Sequence, residues 1–255
     1  MSIIQSFNLS GKVAIVTGAS KGIGKAIARA YAEQGASVIV SSRKQEAVDA
    51  VAAELQSEGL AATGVACNMG DMEAIAQLVK SSQEVYGGLD VVVNNAAANP
   101  VFGPLHESDG EVFDKIMQVN VKGPFELVRL AHPYMKSRGG GSVINVSSVG
   151  GLSPEHMLGI YSVSKAALIS LTKVQARELG GDGIRANVIC PGLIKTKFSQ
   201  ALWTNDSLMK GLMRQLPIAR VGTPEEVAGL ALFLASEAAG YCTGGIYTAD
   251  GGYTI

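Results

Sequence analysis

The sequence predicts a three-layer α/β fold: one parallel sheet of about seven strands, covered by helices on both faces. Three observations predict it. Short apolar runs rich in β-branched residues alternate with longer segments whose apolar residues recur at helical spacing. Each helical segment is long enough to carry the chain back across a sheet, which makes neighbouring strands parallel. No Pro-, Ser- or Gly-rich linker and no block of like charge divides the chain, so residues 1–255 read as one domain.

Residues 12–17 are the first apolar run and read as a buried strand. Gly18-Ala19-Ser20-Lys21-Gly22-Ile23-Gly24 follows at once. Ala26, Ile27, Ala30, Tyr31 and Ala32 then recur at helical spacing until Gly35. Between a strand and a helix, such glycines let the backbone approach a pyrophosphate, and the helix N-terminus offers free N–H groups. The same spacing also serves a purely structural turn. Residues 37–41 are the second strand. A dinucleotide fold that selects NAD ends this strand with an acid on the ribose 2′-OH. Here it ends Ser41-Ser42-Arg43, with no carboxylate. Arg43 can instead face a 2′-phosphate, with Lys21 as a second cation, unless both are solvated surface charges. The reading is NADP(H) over NAD(H).

A helix over 45–57, a strand over 61–67 and a helix over 71–86 follow, with Asp71 as cap. A strand over 89–93 ends in Asn94-Asn95-Ala96-Ala97. Residues 107–121 and 124–136 are helical, and Gly123-Pro124 is expected to break or kink them. A strand over 142–146 ends at Ser147-Ser148. A helix spans 161–180, and a strand over 184–190 is closed by Pro191-Gly192. Residues 193–216 mix polar and apolar residues and are expected to form a mobile lid. A helix over 223–234 has Thr223 as cap and Pro224 first, and a last strand covers 246–249. In such sheets ligands bind beyond the carboxyl ends of the strands. That brings Ser148 and Tyr161 to the edge that carries residues 18–24.

Tyr161 and Lys165 fall one helical turn apart on one face. A phenol titrates near ~10 and relays protons poorly at neutral pH. A cation about 4 Å away, at an effective dielectric of ~20, contributes ~4 kcal/mol and brings the phenol toward neutral pH. The pair is therefore a candidate general acid and base. Tyr and Lys one turn apart also occur on helices with no catalytic role, so the rest of the chain must carry the case.

Composition narrows the class. Of 255 residues, 47% are apolar and 17% charged, which describes a globular chain with a sizeable core. The net charge of −1, with no Lys/Arg block, argues against nucleic-acid and membrane-surface roles. Cys67, Cys190 and Cys242 have no metal-site spacing and read as reduced thiols. With no signal peptide and no apolar run long enough to span a bilayer, a cytoplasmic protein is expected.

Taken together and in order, Thr17-Gly18 to Gly24, Asn94-Asn95-Ala96, Asn120, Ser148, Tyr161, Lys165 and Pro191-Gly192 resemble the short-chain dehydrogenase/reductases. The resemblance covers nearly the whole chain and implies a Rossmann-type dinucleotide fold. Residues 95–100, 41–44 and 192–196 look like the NADP-dependent retinol/carbonyl reductase branch. The resemblance implies that Tyr161 is proton donor in reduction and base in oxidation, and that Lys165 lowers its pKa and bonds the nicotinamide ribose. It implies that Ser148 polarises the carbonyl, and that the Asn120 carbonyl holds a water in the proton relay. Gly18, Ser20, Lys21, Gly22, Ile23, Gly24, Ser42, Arg43, Asn68, Asn95, Ile194 and Thr196 would hold the cofactor with Tyr161 and Lys165. Two departures stand out: Ala97 replaces the usual Gly after Asn-Asn-Ala, and Asn68 stands where many members carry Asp.

Substrate contacts are expected from loops 99–105, 149–160 and 193–203. They carry Phe102, Leu152, Met157, Leu158, Leu193, Phe198 and Trp203, which suit an apolar or aromatic ketone or aldehyde. The same residues can instead pack on each other or on a neighbouring subunit. His156 is expected to hydrogen-bond within its loop. Two alternatives stay open: a 3-oxoacyl-carrier-protein reductase, docking through Lys195, Lys197 and Arg138, and a non-catalytic nucleotide-binding scaffold. The resemblance implies a homotetramer, with helices 124–136 and 161–180 in one interface and the C-terminal strand in another.

Overall fold

The computed structural model of the protein describes residues 2–204 and 206–255. The described chain builds one seven-stranded sheet from β1 (Val13–Thr17), β2 (Ser37–Ser42), β3 (Ala62–Ala66), β4 (Val91–Asn94), β5 (Gly141–Val146), β6 (Ile184–Pro191) and β7 (Ile246–Ala249). The strand order is β3-β2-β1-β4-β5-β6-β7, and every neighbouring pair is parallel.

The two-residue period of a strand explains the two cores. Every residue of β1 is buried. Ala14 and Val16 face one layer, where they join Ile27 and Tyr31 of α1 (Gly22–Glu33), Val48 and Leu55 of α2 (Gln45–Ser57), and Val227 and Leu234 of α9 (Pro224–Ala235). Ile15 faces the other, with Ile75 and Leu78 of α3 (Met72–Tyr86), Leu127 and Met135 of α5 (Gly123–Ser137), and Ala176 of α6 (Gly159–Leu179). A strand buried on both sides has no polar alternation to show, which is why β1 and β4 read as continuous apolar runs. The order reverses between β1 and β4, so their C-terminal ends open the crevice in which such sheets bind ligands.

Local signals set most boundaries. The Asp71 carboxylate caps α3, accepting from Glu73 N at 3.0 Å and Ala74 N at 3.1 Å. Glu226 reaches back to Thr223 N at 2.9 Å at the start of α9, with Pro224 in its first turn.

One expectation is corrected. Gly123-Pro124 does not break the chain: α4 (Gly110–Met117) runs through a π turn, Gln118–Lys122, directly into α5. The irregularity lies just before the proline, and Gly123 N bonds Gln118 O five residues back. Residues 193–216, the expected lid, contain α7 (Gln200–Trp203) and α8 (Asp206–Gln215). No helix among the described residues is long and apolar enough to cross a membrane.

Candidate active site

The glycine turn is built by close contacts as well as by dihedral angles. Gly18 and Gly22 have φ of 64° and 57°, a region glycine enters without strain. A Cβ on Gly24 would stand 2.5 Å from both Gly18 O and Asn95 Nδ2. Asn95 donates from its side chain to Thr17 O at 2.9 Å and Gly18 O at 3.2 Å. Thr17 Oγ1 donates to Val93 O at 3.0 Å and accepts from Asn95 N and Ala96 N. The ends of β1 and β4 are thus tied together, and the Asn95 amide serves the turn itself. Lys21, the N-cap of α1, is extended and supplies no side-chain cap, so the first N–H groups of α1 are free for an anion. That cradle fits a diphosphate.

The other residues expected to hold the nucleotide follow strand ends along the same edge. Ser20 lies in the turn after β1, Ser42 closes β2, and Arg43 follows it. Asn68 follows β3, with its Oδ1 accepting from Gly70 N at 3.1 Å. Ile194 and Thr196 follow β6, and the Thr196 methyl would meet a Cβ on Gly22 at 3.1 Å. Lys21 and Arg43 are exposed, and neither has an acidic partner among the described residues.

Tyr161 and Lys165 lie on the first turns of α6, both buried, with Lys165 only 2% exposed. The amine sits 5.5 Å from the centroid of the phenol ring and donates to Val146 O at 2.8 Å, at the end of β5. Ser148 follows β5. Its hydroxyl accepts from Gly150 N at 3.1 Å and favours the ionised form of the Tyr161 phenol.

The protein groups alone do not lower the phenol pKa as expected. Burial raises Tyr161 above its ordinary range, and the Glu155 charge adds to the rise; Ser148 opposes it. Burial also brings Lys165 down to about 8. The expectation counted the attraction between the charges and omitted the loss of solvation for both, which dominates in this interior.

Asn120 sits in the π turn, fully buried. Its Oδ1 accepts from Ala98 N at 2.7 Å, and its Nδ2 donates to Ala98 O at 3.0 Å and to Ser164 Oγ at 3.0 Å. Ser164 Oγ in turn donates to Tyr161 O at 2.7 Å. Asn120 therefore joins the loop after β4 to the helix that carries Tyr161 and Lys165. Pro124, four residues on, has no N–H to give the Asn120 carbonyl.

Loops 99–105 and 149–160 meet beside the phenol. Gly103 N donates to Met157 O at 3.0 Å, and Gly103 pairs with Leu158 as an isolated bridge. Met157 has φ of 69°, a conformation worth about 1–2 kcal/mol of strain in a residue with a Cβ. A cavity of about 10 Å³ lies beneath, lined by Asn99, Val101, Met157, Leu158 and Tyr161 among others. From the third loop, Phe198 stands 6.2 Å from the Tyr161 ring, centroid to centroid. Trp203 turns back to bond Thr196 O at 2.9 Å. Phe102 and Leu152 face solvent. His156 is exposed, and its ring makes no hydrogen bond among the described residues, contrary to expectation, because its loop is tied by backbone groups instead.

Four neighbours escaped the sequence reading. Val112 and Ile116 of α4 line the cavity. Ser164 links Asn120 to Tyr161, and its place between Tyr161 and Lys165 on α6 was the available signal. Glu155 is the one carboxylate in an otherwise neutral or apolar stretch, 149–160, and that isolation was the signal for it.

Comparison with known proteins agrees with this fold. A family model described as enoyl-(acyl carrier protein) reductase matches residues 18–254. The chain is 48% identical over 244 residues to dehydrogenase/reductase SDR family member 4 of Oryctolagus cuniculus, covering 96% of this chain and 94% of that protein. A solved 7α-hydroxysteroid dehydrogenase, complexed with NADH and 7-oxo glycochenodeoxycholic acid, superposes with a TM-score of 0.95 at 33% identity; 99% of this chain and 98% of that one are covered. A short-chain type dehydrogenase/reductase from Mycobacterium marinum gives 0.93 at 37% identity over the full length of both chains.

Proposed function

The chain belongs to the short-chain dehydrogenase/reductase family, and from that premise we propose that it interconverts a carbonyl compound and its alcohol, with Tyr161 as general acid in reduction and base in oxidation. One observation carries the reading: Ser148, Tyr161, Lys165 and Asn120 come together on the sheet edge that ends in the glycine turn. A nicotinamide dinucleotide, when bound, supplies the hydride. The turn Gly18, Gly22, Ile23 and Gly24, with Ser20, holds its diphosphate at the head of α1. Asn68 would face its adenine, Ile194 and Thr196 its carboxamide, and Lys165 its ribose. Ser148 and Tyr161 direct two hydroxyls at the oxygen on which negative charge grows, and Tyr161 completes the proton transfer. Asn120 fixes α6 against the loop after β4 and leaves its carbonyl free to hold a relay water.

We take NADP(H) as the preferred cofactor, since Ser42-Arg43 offers a 2′-phosphate a guanidinium and a hydroxyl, with Lys21 two residues beyond Ala19, whose N–H donates to Ser41 O at 2.9 Å. The bound NADH belongs to a relative and sets no preference here. Apolar Val101, Met157, Leu158 and Phe198 around the phenol support an apolar or aromatic ketone or aldehyde as substrate. The carrier-protein alternative is the weaker reading. Arg138 is bonded to Asp90 at 2.9 Å and to Gly11 O, at the opposite edge of the sheet from Lys195 and Lys197, so the three cations form no common patch. Buried, weakly acidic Cys67 and Cys190 support a reducing, cytoplasmic setting.

The test is a panel of free ketones, aldehydes, alcohols and carrier-bound 3-oxoacyl thioesters, scored with both cofactors. The expected result is turnover of free aromatic ketones with NADPH. The Tyr161→Phe variant should lose about a thousandfold in kcat while still binding nucleotide. Full turnover by that variant would return the scaffold reading.

A further inference from the structure

Beside the two hydroxyls sits a carboxylate that the proton relay does not use. Glu155 lies on the loop between β5 and α6, half-buried, with no ion pair and no hydrogen bond to its carboxylate among the described residues. Its backbone is held at both sides. Glu155 N donates to Ser162 Oγ at 3.3 Å, on the first turn of α6, and Leu158 N donates to Glu155 O at 3.2 Å. Gly150 marks where the side chain ends: a Cβ there would stand 3.2 Å from Glu155 Oε2, 3.3 Å from Ser162 Oγ and 3.5 Å from Ser148 Oγ. The carboxylate and the Ser148 hydroxyl thus flank one backbone position. The charge also reaches the Tyr161 phenol, where it opposes ionisation.

No basic side chain among the described residues answers it, and Lys165 is turned to Val146 O. An unpaired charge beside the Ser148 hydroxyl acts on every charged ligand that reaches that hydroxyl, attracting one sign and rejecting the other. We infer that Glu155 sets specificity by charge: it disfavours carbonyl compounds that carry a carboxylate or phosphate near the reacting carbon and favours those that carry an ammonium group. The inference rests on the carbonyl–alcohol reading and gives that site a substrate class.

Three aryl ketones on one skeleton test it: the parent, its carboxylate derivative and its aminomethyl derivative. The quantity read is the ratio of kcat/KM, charged over parent, within each protein. In Glu155→Gln the anionic ratio should rise about tenfold and the cationic ratio fall about tenfold, the size expected for unit charges roughly 10 Å apart across such a pocket. Glu155→Lys should carry both changes further. Ratios that stay within twofold of wild type, or that move in the same direction for both derivatives, overturn the inference. Wild-type protein that turns over none of the three overturns the parent reading instead. Calorimetric Kd values for the same compounds then score the charge preference on their own, so the two failures remain distinct.

Discussion

At the scale of single residues, the central fact is that Lys165 is charged where charge is disfavoured. Its fall from 10.5 to about 8 corresponds to about 3 kcal/mol of unfavourable burial. Below pH 8 the amine is protonated in folded and unfolded chains alike, so the whole penalty is present at neutral pH. It is relieved as pH rises from about 8 toward 10.5, where only the unfolded chain still holds the proton. Lys165→Met removes the penalty and leaves Val146 O without its donor, worth about 1 kcal/mol. The variant should therefore be inactive yet melt about 5 °C higher, as calorimetry would read. The same residue sets the alkaline limb of the rate. Carbonyl reduction needs the Tyr161 proton and the Lys165 charge; its kcat/KM should stay level through neutral pH and fall above about 8. Alcohol oxidation needs the phenolate and should rise with pH. Arg43→Ala should weaken NADPH about 10- to 100-fold and NADH little, measured by fluorescence titration; equal losses would refute the 2′-phosphate assignment. The Tyr161–Lys165 pairing was legible because one helical turn suffices to bring the two together. The direction of their pKa shifts was not, because burial is a property of the packed molecule.

At the scale of elements, the π turn at Gln118–Lys122 does what a regular helix could not. It turns Asn120 toward Ala98 and Ser164, two segments that the chain brings together only in the fold. Asn120→Ala would strand the part-buried N–H and carbonyl of Ala98 and take from the buried Ser164 hydroxyl the donor it accepts from. It should cost about 2–4 kcal/mol in denaturant melts and lower kcat more than nucleotide affinity. The sequence pointed to an irregularity but put it at Gly123-Pro124. One extra residue in a helix barely disturbs apolar spacing over two or three turns, whereas Gly-Pro looks like a stop. The strands were legible to within two residues, being short apolar runs that end in, or are followed within two residues by, Gly, Asn, Asp or Ser. Helices α7 and α8 were not assigned, although Ser199 precedes the first and Leu208, Met209, Leu212 and Met213 recur at helical spacing in the second; both are short, and Lys, Asn and Gln interrupt the apolar residues around them.

At the scale of the whole molecule, the face made by α4, α5 and α6 is left apolar. Phe113, Phe125, Val163 and Val174 are exposed on it, around a groove of about 560 Å³ lined in part by Val121, Phe125 and Leu171. A patch of this kind supports the tetramer that the resemblance implies. Phe125→Glu should shift the protein to smaller species in light scattering, and wild type running as a stable monomer would remove the proposal. The sheet itself was the most legible feature, since strand–helix alternation and a glycine turn leave few topologies. Least legible was the joining of Gly103 to Met157 and Leu158, because nothing in either stretch names its partner. That junction has a consequence for re-engineering. Inserting or deleting one residue on either side would slip both, so variant libraries that randomise one stretch alone should yield mostly dead clones. Libraries that vary the two stretches as a matched pair should recover altered substrate ranges.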